Sequence, residues 1–227
     1  CNGAGGNWNT AATWTDGSIP TAADNVTIGA GCTVTINVAS TALNITVENG
    51  GILQFEQTTA RTLTVLQNVI IDAGGTFRSN TAGTVTTHIL SVAGNITNNG
   101  TLDFSTNADT AAAGITFAAG ASNVTFGGTG ATTDVRAITV AKGAQATVVE
   151  VTVSNFTVRG VNTDVAGYLT ITSGTFKISG TFTMTNRTFT TATYTIAALG
   201  GIWLNNPNYT VAPTASSTST NNNGLFR

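Results

Sequence analysis

Turns that contain a glycine recur along this 227-residue chain and separate short apolar runs, most of them with the pattern apolar-x-apolar. Consecutive turn glycines lie 20 to 31 residues apart, close to the length of one coil of a β-solenoid. Corner loops of a solenoid can absorb insertions while the stacked strands keep their register. The pattern therefore predicts a parallel β-helix of about eight irregular coils. The eight turn glycines are Gly31, Gly51, Gly75, Gly100, Gly120, Gly143, Gly174 and Gly201.

The composition supports an all-β fold and excludes two classes of protein. Charged residues make up 8% of the chain, hydrophobic residues 41%, and the formal net charge is -2. A disordered chain would combine low hydrophobicity with high net charge, and a nucleic-acid-binding surface would need a basic stripe. We therefore expect no nucleic-acid partner. Threonine alone occupies 47 positions, and Thr, Val, Gly and Asn are poor helix formers.

The predicted solenoid covers residues 25–212, between two segments that do not follow the coil pattern. Residues 1–24 are expected to form an N-terminal cap, because an open solenoid end exposes apolar core and unpaired backbone. Trp8 and Trp14 would be buried in this cap, or alternatively would form a platform that stacks on sugars. Residues 213–227 have low complexity, which predicts a linker or a final irregular coil.

Stacked coils place equivalent residues above one another, so the pattern also predicts columns in the core. Repeated antiparallel hairpins in a β-sandwich are the structural alternative, because Asn-Gly between alternating runs is a strong hairpin signal. The first predicted column contains the apolar residues that precede the turns: Ile28, Val47, Ile71, Phe117, Val140, Ile171 and Ile196. The second predicted column contains Phe55, Phe77, Phe104 and Phe126.

The first regular coil follows a distinctive opening, with an Asn-Trp pair at Asn7 and Trp8, a Thr-Trp pair at Thr13 and Trp14, and Pro20 four residues before Asp24. This opening resembles the start of β-solenoid regions in large secreted surface proteins of Bacteroidota. The resemblance implies export by the type IX secretion system and a role as an adhesin, a gliding-associated filament or a surface scaffold. It implies no particular ligand.

Two modifications fit an exported protein of this kind. Cys1 and Cys32 flank the predicted cap, and a disulfide between them would tie the cap to the first coil in an oxidising compartment. Asp109, Thr110 and Ala111 resemble the acceptor motif of Bacteroidota O-glycosylation, which makes Thr110 a candidate site. Eight Asn-x-Thr sequences are attributed to chance in a threonine-rich chain: Asn25, Asn44, Asn95, Asn99, Asn123, Asn155, Asn186 and Asn208.

Catalytic chemistry has little support in the sequence. The ten acids are scattered, His88 is the single histidine and is expected in a loop, and Lys177 has no acid nearby in sequence. Asp72 and Asp103 lie on opposite sides of their nearest turn glycines, so they are not expected to align. We therefore predict no enzyme, no cofactor and no required metal. Thr-x-Thr pairs also suggest an ice-binding face, although their irregular spacing argues against a flat array.

These observations favour a non-enzymatic, extracellular segment of a larger cell-surface protein or filament, which acts as a spacer, scaffold or adhesin. The chain begins at Cys1 without an initiator Met, which favours a piece of a longer protein. Expected partners are other domains of the same chain, cell-surface or secretion components and surface glycans, with self-assembly as a further alternative. A carbohydrate-binding or polysaccharide-degrading β-helix is the second functional hypothesis.

Overall fold

The computed structural model of the chain describes residues 1–158, 168–182, 194–209 and 220–227. Within these ranges almost all regular structure is β-strand, and the strands stack in parallel to form a solenoid of about eight turns. The predicted parallel β-helix is therefore confirmed. Three predicted features lie outside the described residues: the Thr-x-Thr pair of Thr183 and Thr185, the Asn-x-Thr sequence at Asn186, and most of the predicted linker, residues 213–219.

The described residues form 24 strands and one short 3-10 helix, Ala11–Thr13. In chain order the strands are β1 (Gly5–Asn7), β2 (Asn25–Ile28), β3 (Thr33–Ile36), β4 (Ser40–Ala42), β5 (Asn44–Val47), β6 (Ile52–Phe55), β7 (Thr62–Val65), β8 (Val69–Ile71), β9 (Thr76–Arg78), β10 (His88–Val92), β11 (Ile96–Asn98), β12 (Thr101–Asp103), β13 (Ser105–Thr106), β14 (Ala111–Phe117), β15 (Val124–Gly127), β16 (Thr132–Val135), β17 (Ala137–Ala141), β18 (Val148–Val151), β19 (Thr157–Val158), β20 (Leu169–Ile178), β21 (Tyr194–Ile196), β22 (Gly200–Leu204), β23 (Thr220–Asn222) and β24 (Leu225–Phe226).

Each regular coil contributes one strand to each of three faces. Sheet A contains β1, β3, β6, β9, β12, β16 and β19 in that order. Sheet B begins with β2, β5, β8, β11, β15 and β18, and sheet C contains β4, β7, β10, β14 and β17. Strand β20 joins sheets B and C, because its first half pairs with β17 and its second half pairs with β18. The chain thus runs repeatedly from sheet C to sheet B to sheet A.

Alternation along each strand builds the core. In β3, Val34 and Ile36 are fully buried, whereas Thr33 and Thr35 remain partly exposed on the outer face. The same pattern recurs in β5, β6 and β7. Among the described strands, antiparallel pairing is confined to β13 and β14, so the hairpin alternative is wrong for this part of the chain.

The first predicted core column is wrong, because its residues belong to different sheets. Ile28, Val47 and Ile71 do stack in sheet B, but the next residue in their register is Asn98. Phe117, Val140 and Ile171 form a separate column in sheet C, below Val92, while Ile196 pairs with Asn222 in a two-stranded sheet. The reason is that glycine turns occur at two different corners. Gly100 lies between strands of sheets B and A, whereas Gly120 lies between strands of sheets C and B.

The predicted phenylalanine column is also divided. Phe55, Phe77 and Phe104 pack together, with ring centroids 4.9 to 5.8 Å apart. Phe77 is nevertheless in register with Leu53 and not with Phe55. Phe126 belongs to sheet B and packs against Phe117 and Phe156 instead. The four phenylalanines of the predicted column therefore belong to two separate clusters in the core.

Glycine is required at the corner between sheets B and A because successive coils approach closely there. A Cβ on Gly51 would overlap the carbonyl oxygen of Ile28, and a Cβ on Gly75 would overlap that of Val47. Gly100 has the same relation to Asp72. These contacts are with backbone atoms of the preceding coils or the same turn, which cannot move aside as a flexible side chain would.

Asparagine marks the corner between sheets C and B. The Asn44 amide donates to Asn25 Oδ1 at 2.8 Å, and the Asn44 Oδ1 accepts from the backbone N–H of Asn68 at 2.9 Å. Asn68 Oδ1 accepts from the N–H of Asn95 at 2.9 Å, and Asn95 Oδ1 accepts from the N–H of Thr125 at 2.8 Å. Four of the Asn-x-Thr sequences therefore have a structural reason rather than a chance origin: Asn25, Asn44, Asn95 and Asn123 all stand at the start of a sheet B strand.

Candidate functional site

The N-terminal segment covers the first coil and is held by a covalent link. Cys1 and Cys32 form a disulfide, with their Cα atoms 6.4 Å apart. Strand β1 pairs with β3, so this segment adds a strand to sheet A. The terminal amine of Cys1 also donates to the carbonyl of Thr27 at 3.0 Å, on the outer edge of β2.

The two tryptophans of this segment are core residues. Trp8 is 1% exposed and Trp14 is 6% exposed, and their rings pack edge to face with centroids 5.1 Å apart. The indole N–H of Trp14 donates to the carbonyl of Trp8 at 2.9 Å. The two rings therefore do not form the exposed sugar-stacking platform that was the alternative for Trp8 and Trp14, although Trp14 borders a surface pocket.

Thr110 lies in an exposed loop between β13 and β14. The three residues before it have left-handed backbone angles, with φ of 51° at Asn107, 51° at Ala108 and 67° at Asp109. Such angles are unfavourable for residues other than glycine. The loop is held by a 2.6 Å bond from Ser105 Oγ to Asp109 Oδ1 and by a 2.7 Å bond from Thr110 Oγ1 to the Asn107 carbonyl. The candidate acceptor hydroxyl is thus presented on a strained corner.

His88 is a core residue of β10, so its predicted loop position is wrong. Its ring is 1% exposed and stacks on Phe55 with centroids 4.7 Å apart. The Nδ1 atom accepts a hydrogen bond from the backbone N–H of Arg61 at 3.0 Å. Burial lowers the pKa of His88, and a hydrogen bond with the backbone of Glu56 opposes this shift. The imidazole therefore links sheets A and C inside the core in its neutral form.

The outer face of sheet A carries a polar column that sequence spacing did not reveal. Gln54, Arg78, Asp103 and Asp134 occupy successive strands in register, and Thr157 follows them. Neighbouring strands lie about 4.8 Å apart, so two aspartates are placed side by side on adjacent coils. Asp72 belongs to the corner after β8, in agreement with the expectation that it does not align with Asp103. The register partner of Asp103 is Asp134. Position relative to the turn glycines did not reveal this pair, because Gly100 precedes a strand of sheet A whereas Gly120 precedes a strand of sheet B.

The environment of Asp103 favours its protonated form. Burial raises the pKa of the Asp103 carboxyl, and the nearby Asp109 raises it further. A hydrogen bond from the Ser105 N–H at 3.2 Å and the charge of Arg78 act in the opposite direction. Burial dominates because the carboxylate loses more solvation than these partners replace.

A polar groove of about 540 Å³ lies beside this column. Gln54 is central to it, because its Nε2 donates to Thr35 Oγ1 at 3.2 Å and its Oε1 accepts from Arg78 at 3.0 Å. Arg61 forms an ion pair with Glu56 at the edge. The groove is thus lined by amide, hydroxyl and ionic groups: Asn7, Thr35, Asn37, Gln54, Glu56, Gln57, Thr58, Arg61 and Asn80.

The outer face of sheet C carries a column of hydroxyl side chains. Thr64 is in register with Thr41 on one side and Ser91 on the other, and Thr116, Thr139 and Thr170 continue the column. The Thr-x-Thr pairs do not form one array, because Thr33 and Thr35 lie on sheet A whereas Thr62 and Thr64 lie on sheet C. Thr64 and Thr170 nevertheless share a column with hydroxyl residues outside those pairs. Insertions are taken up in the corner loops, so residues at unequal sequence intervals arrive at equivalent positions.

Sheet B presents a third column, which contains the one tryptophan outside the N-terminal segment. Lys177 Nζ lies 4.3 Å from the centroid of the Trp203 ring, and Arg227 Cζ lies 5.3 Å from it. Lys177 also forms a 2.8 Å ion pair with Glu150 on the adjacent strand. Lys177 thus acquires from stacking the acidic partner that it lacks in sequence. The Trp203 ring is therefore in contact with two cationic side chains.

Two further properties of the described ranges bear on function. No three His, Cys, Asp or Glu side chains in these ranges come close enough together to hold a metal ion. No helix in the same ranges is long and apolar enough to cross a membrane.

The geometry defines a three-faced parallel β-helix with a different polar column on each outer face. The G8 domain family matches residues 13–191, which is most of the chain. This chain therefore belongs to the G8 domain family. Searches of curated proteins and of solved structures find no match.

Proposed function

We propose that this chain is a non-enzymatic extracellular segment that extends, presents or adheres as part of a larger surface protein. The observation that carries this proposal is that most of the recurrent glycine, asparagine and long polar residues make contacts between stacked coils. Glycines allow the close approach of coils at one corner, and asparagines bridge the coils at another. On sheet A, Gln54 and Arg78 bond to each other. A regular stack of this kind suits a spacer or scaffold.

The extracellular part of the proposal rests on two supports. A disulfide such as Cys1–Cys32 is favoured in oxidising compartments. The resemblance of the N-terminal opening to Bacteroidota surface proteins supports export by the type IX system. Within the same proposal, the partners are other domains of the parent chain and cell-surface components, and Thr110 is an O-glycosylation site.

Surface exposure and catalysis can be tested separately. Brief protease treatment of intact producing cells should remove the protein, while a cytoplasmic marker remains. The purified chain, incubated with a panel of bacterial and plant polysaccharides, should release no new reducing ends. Cleavage that disappears in Asp103→Asn would contradict the non-enzymatic assignment, and protection from protease on intact cells would contradict the surface location.

Carbohydrate binding in the groove of sheet A is the second candidate function. The specific observation in its favour is the set of preorganised amides, such as Gln54, whose bonds to Thr35 and Arg78 fix its orientation. Sugar hydroxyls both donate and accept hydrogen bonds, as these amides do. Binding to a glycan array should be lost in Gln54→Ala and kept in Gln67→Ala, since Gln67 lies at another corner. Equal binding by both variants would exclude this groove.

A further inference from the structure

The hydroxyl column of sheet C consists of six residues that follow one another strand by strand. In sequence they are separated by 23 to 31 residues, but in the sheet each is the direct register partner of the next. Adjacent parallel strands are about 4.8 Å apart, so the column has a regular repeat and is about 24 Å long. Its members are Thr41, Thr64, Ser91, Thr116, Thr139 and Thr170.

These hydroxyls are exposed to solvent and are not used by the fold. All six side chains are partly or fully exposed. Within the described ranges, none of the six hydroxyls has a hydrogen bond to another protein atom, in contrast to Thr172, whose Oγ1 donates to the Val140 carbonyl at 3.1 Å. Five of the six are threonines, whose branched Cβ restricts χ1. The column is therefore a regular array of stiff and available hydroxyl groups.

The strand positions on either side of the column carry no charge. On one side, Ile89, Gly114 and Ala137 follow each other in register. His88 is the one titratable side chain in the sheet C strands as far as Ser173, and it is buried on the inner face. Arg61 and Arg136 stand directly before β7 and β17: Arg61 forms an ion pair with Glu56, and Arg136 borders a pocket that Thr116 and Thr139 also line. Small and apolar side chains thus flank the hydroxyls along the face.

We propose that the outer face of sheet C binds ice. An ice surface is an uncharged lattice of regularly spaced hydrogen-bonding groups, and this face offers regularly spaced hydroxyls without charge. The stiffness of threonine lowers the entropic cost of ordering the side chains against a lattice. The adjacent alanine, glycine and isoleucine positions bring apolar surface to the same contact. Arg136 borders the face, where it lines a small pocket together with Thr116 and Thr139, but the strand positions on either side of the hydroxyls carry no charge. This function goes beyond the scaffold role and does not depend on it.

Ice adsorption by the full chain tests the proposal directly. The wild-type protein should be enriched in a slowly grown ice hemisphere, should inhibit ice recrystallisation and should produce thermal hysteresis. The double variant Thr116→Lys and Thr139→Lys places strongly hydrated charges in the centre of the column and should abolish all three effects. Thr46→Lys is the matched control, because Thr46 is partly exposed on sheet B and lies between Thr27 and Ile70.

Melting temperature and circular dichroism of each variant separate loss of binding from loss of fold. The proposal requires wild-type enrichment in ice, retention of activity in the Thr46 variant and loss in the folded double variant. Exclusion of the wild-type protein from ice overturns it. Equal loss in the double variant and the Thr46 variant, or adsorption to insoluble polysaccharide without adsorption to ice, overturns it as well.

Discussion

Parallel strands in register align side chains into columns on the outer faces of both sheet A and sheet C, but the two columns differ in their hydrogen bonding. On sheet A, Gln54 bonds to Thr35 and Arg78, which belong to the coils on either side. On sheet C, the hydroxyls of Thr64 and Thr116 have no protein partner in the described part of the chain. Gln54 bonds to both neighbouring coils, which are about 4.8 Å away, whereas the hydroxyls of this sheet C column bond to neither neighbour within the described ranges.

This difference shows that stacking aligns side chains into columns but does not determine whether those side chains bond to one another. Both columns arise because corner loops absorb insertions. In the sheet A column Gln54 and Arg78 bond to each other across coils, whereas the six hydroxyls of the sheet C column remain available to solvent. The polar side chains on sheet A thus include contacts between coils, whereas the hydroxyl column on sheet C makes none in the described part of the chain.

The disulfide should distinguish the two faces most strongly, because the segment that it holds extends sheet A alone. Cys1→Ser is expected to cost roughly 3 to 4 kcal/mol in the chain-entropy model, given a sequence separation of 31 residues. Hydrogen exchange should rise most in β1 and β3, and least in β4 and β7. An equal rise in all four strands would show that the N-terminal segment does not act on sheet A selectively.

Substitution at the glycine corner should instead damage both faces together. Gly75→Ala forces a Cβ against the backbone of Val47 and is expected to destabilise the fold by about 1 to 3 kcal/mol, as overpacking does. Gly29→Ala is the control, since its Cβ would meet only the flexible end of Glu48 at 3.3 Å. Thermal unfolding measures both. Similar melting temperatures for the two variants would contradict the close-approach explanation.

The sequence was sufficient to predict the stacked coils, but not which turns lie at the same corner of successive coils. Apolar-x-apolar runs occur on more than one face, and glycine occurs at two of the three corners, so Gly100 and Gly120 look equivalent in sequence although they are not. A better marker was present. The Asn-Val or Asn-Ile pair that begins at Asn25, Asn44, Asn68, Asn95 and Asn123 identifies the start of sheet B strands in five successive coils.

The polar columns were missed for the same reason. Asp103 and Asp134 are 31 residues apart, and only the correct phase reveals that they are neighbours. The pairing of Lys177 with Glu150 also arises between coils. Core positions were easier, because local alternation alone decides which side of a strand faces inward. The polar surface columns could therefore not be predicted from sequence, because they depend on the register between distant coils.

His88 should make the junction between sheets A and C sensitive to pH. Its folded-state pKa lies below the usual value of about 6.5, because burial opposes its charge. The stability that depends on the neutral ring is present above that unfolded value and is lost as pH falls towards the folded value. Melting temperature should therefore decrease between pH 7.5 and pH 5, with a smaller decrease in His88→Phe, which keeps a ring on Phe55. Identical slopes would show that His88 does not control this transition.

The smallest effect is expected at Asp103, where sheet A places one aspartate beside another. Its folded-state pKa is raised, so its favourable contribution is present below the unfolded pKa of about 3.9 and is lost as pH rises through the folded value. Asp103→Asn keeps an acceptor for the Ser105 N–H but cannot ionise. At neutral pH the variant should be more stable than the wild type, because asparagine avoids the cost of burying an ionised carboxyl. Urea unfolding at pH 7 and pH 3.5 measures the difference. A loss of stability at pH 7 would mean that the attraction between Arg78 and the Asp103 carboxylate outweighs the cost of burying that charge.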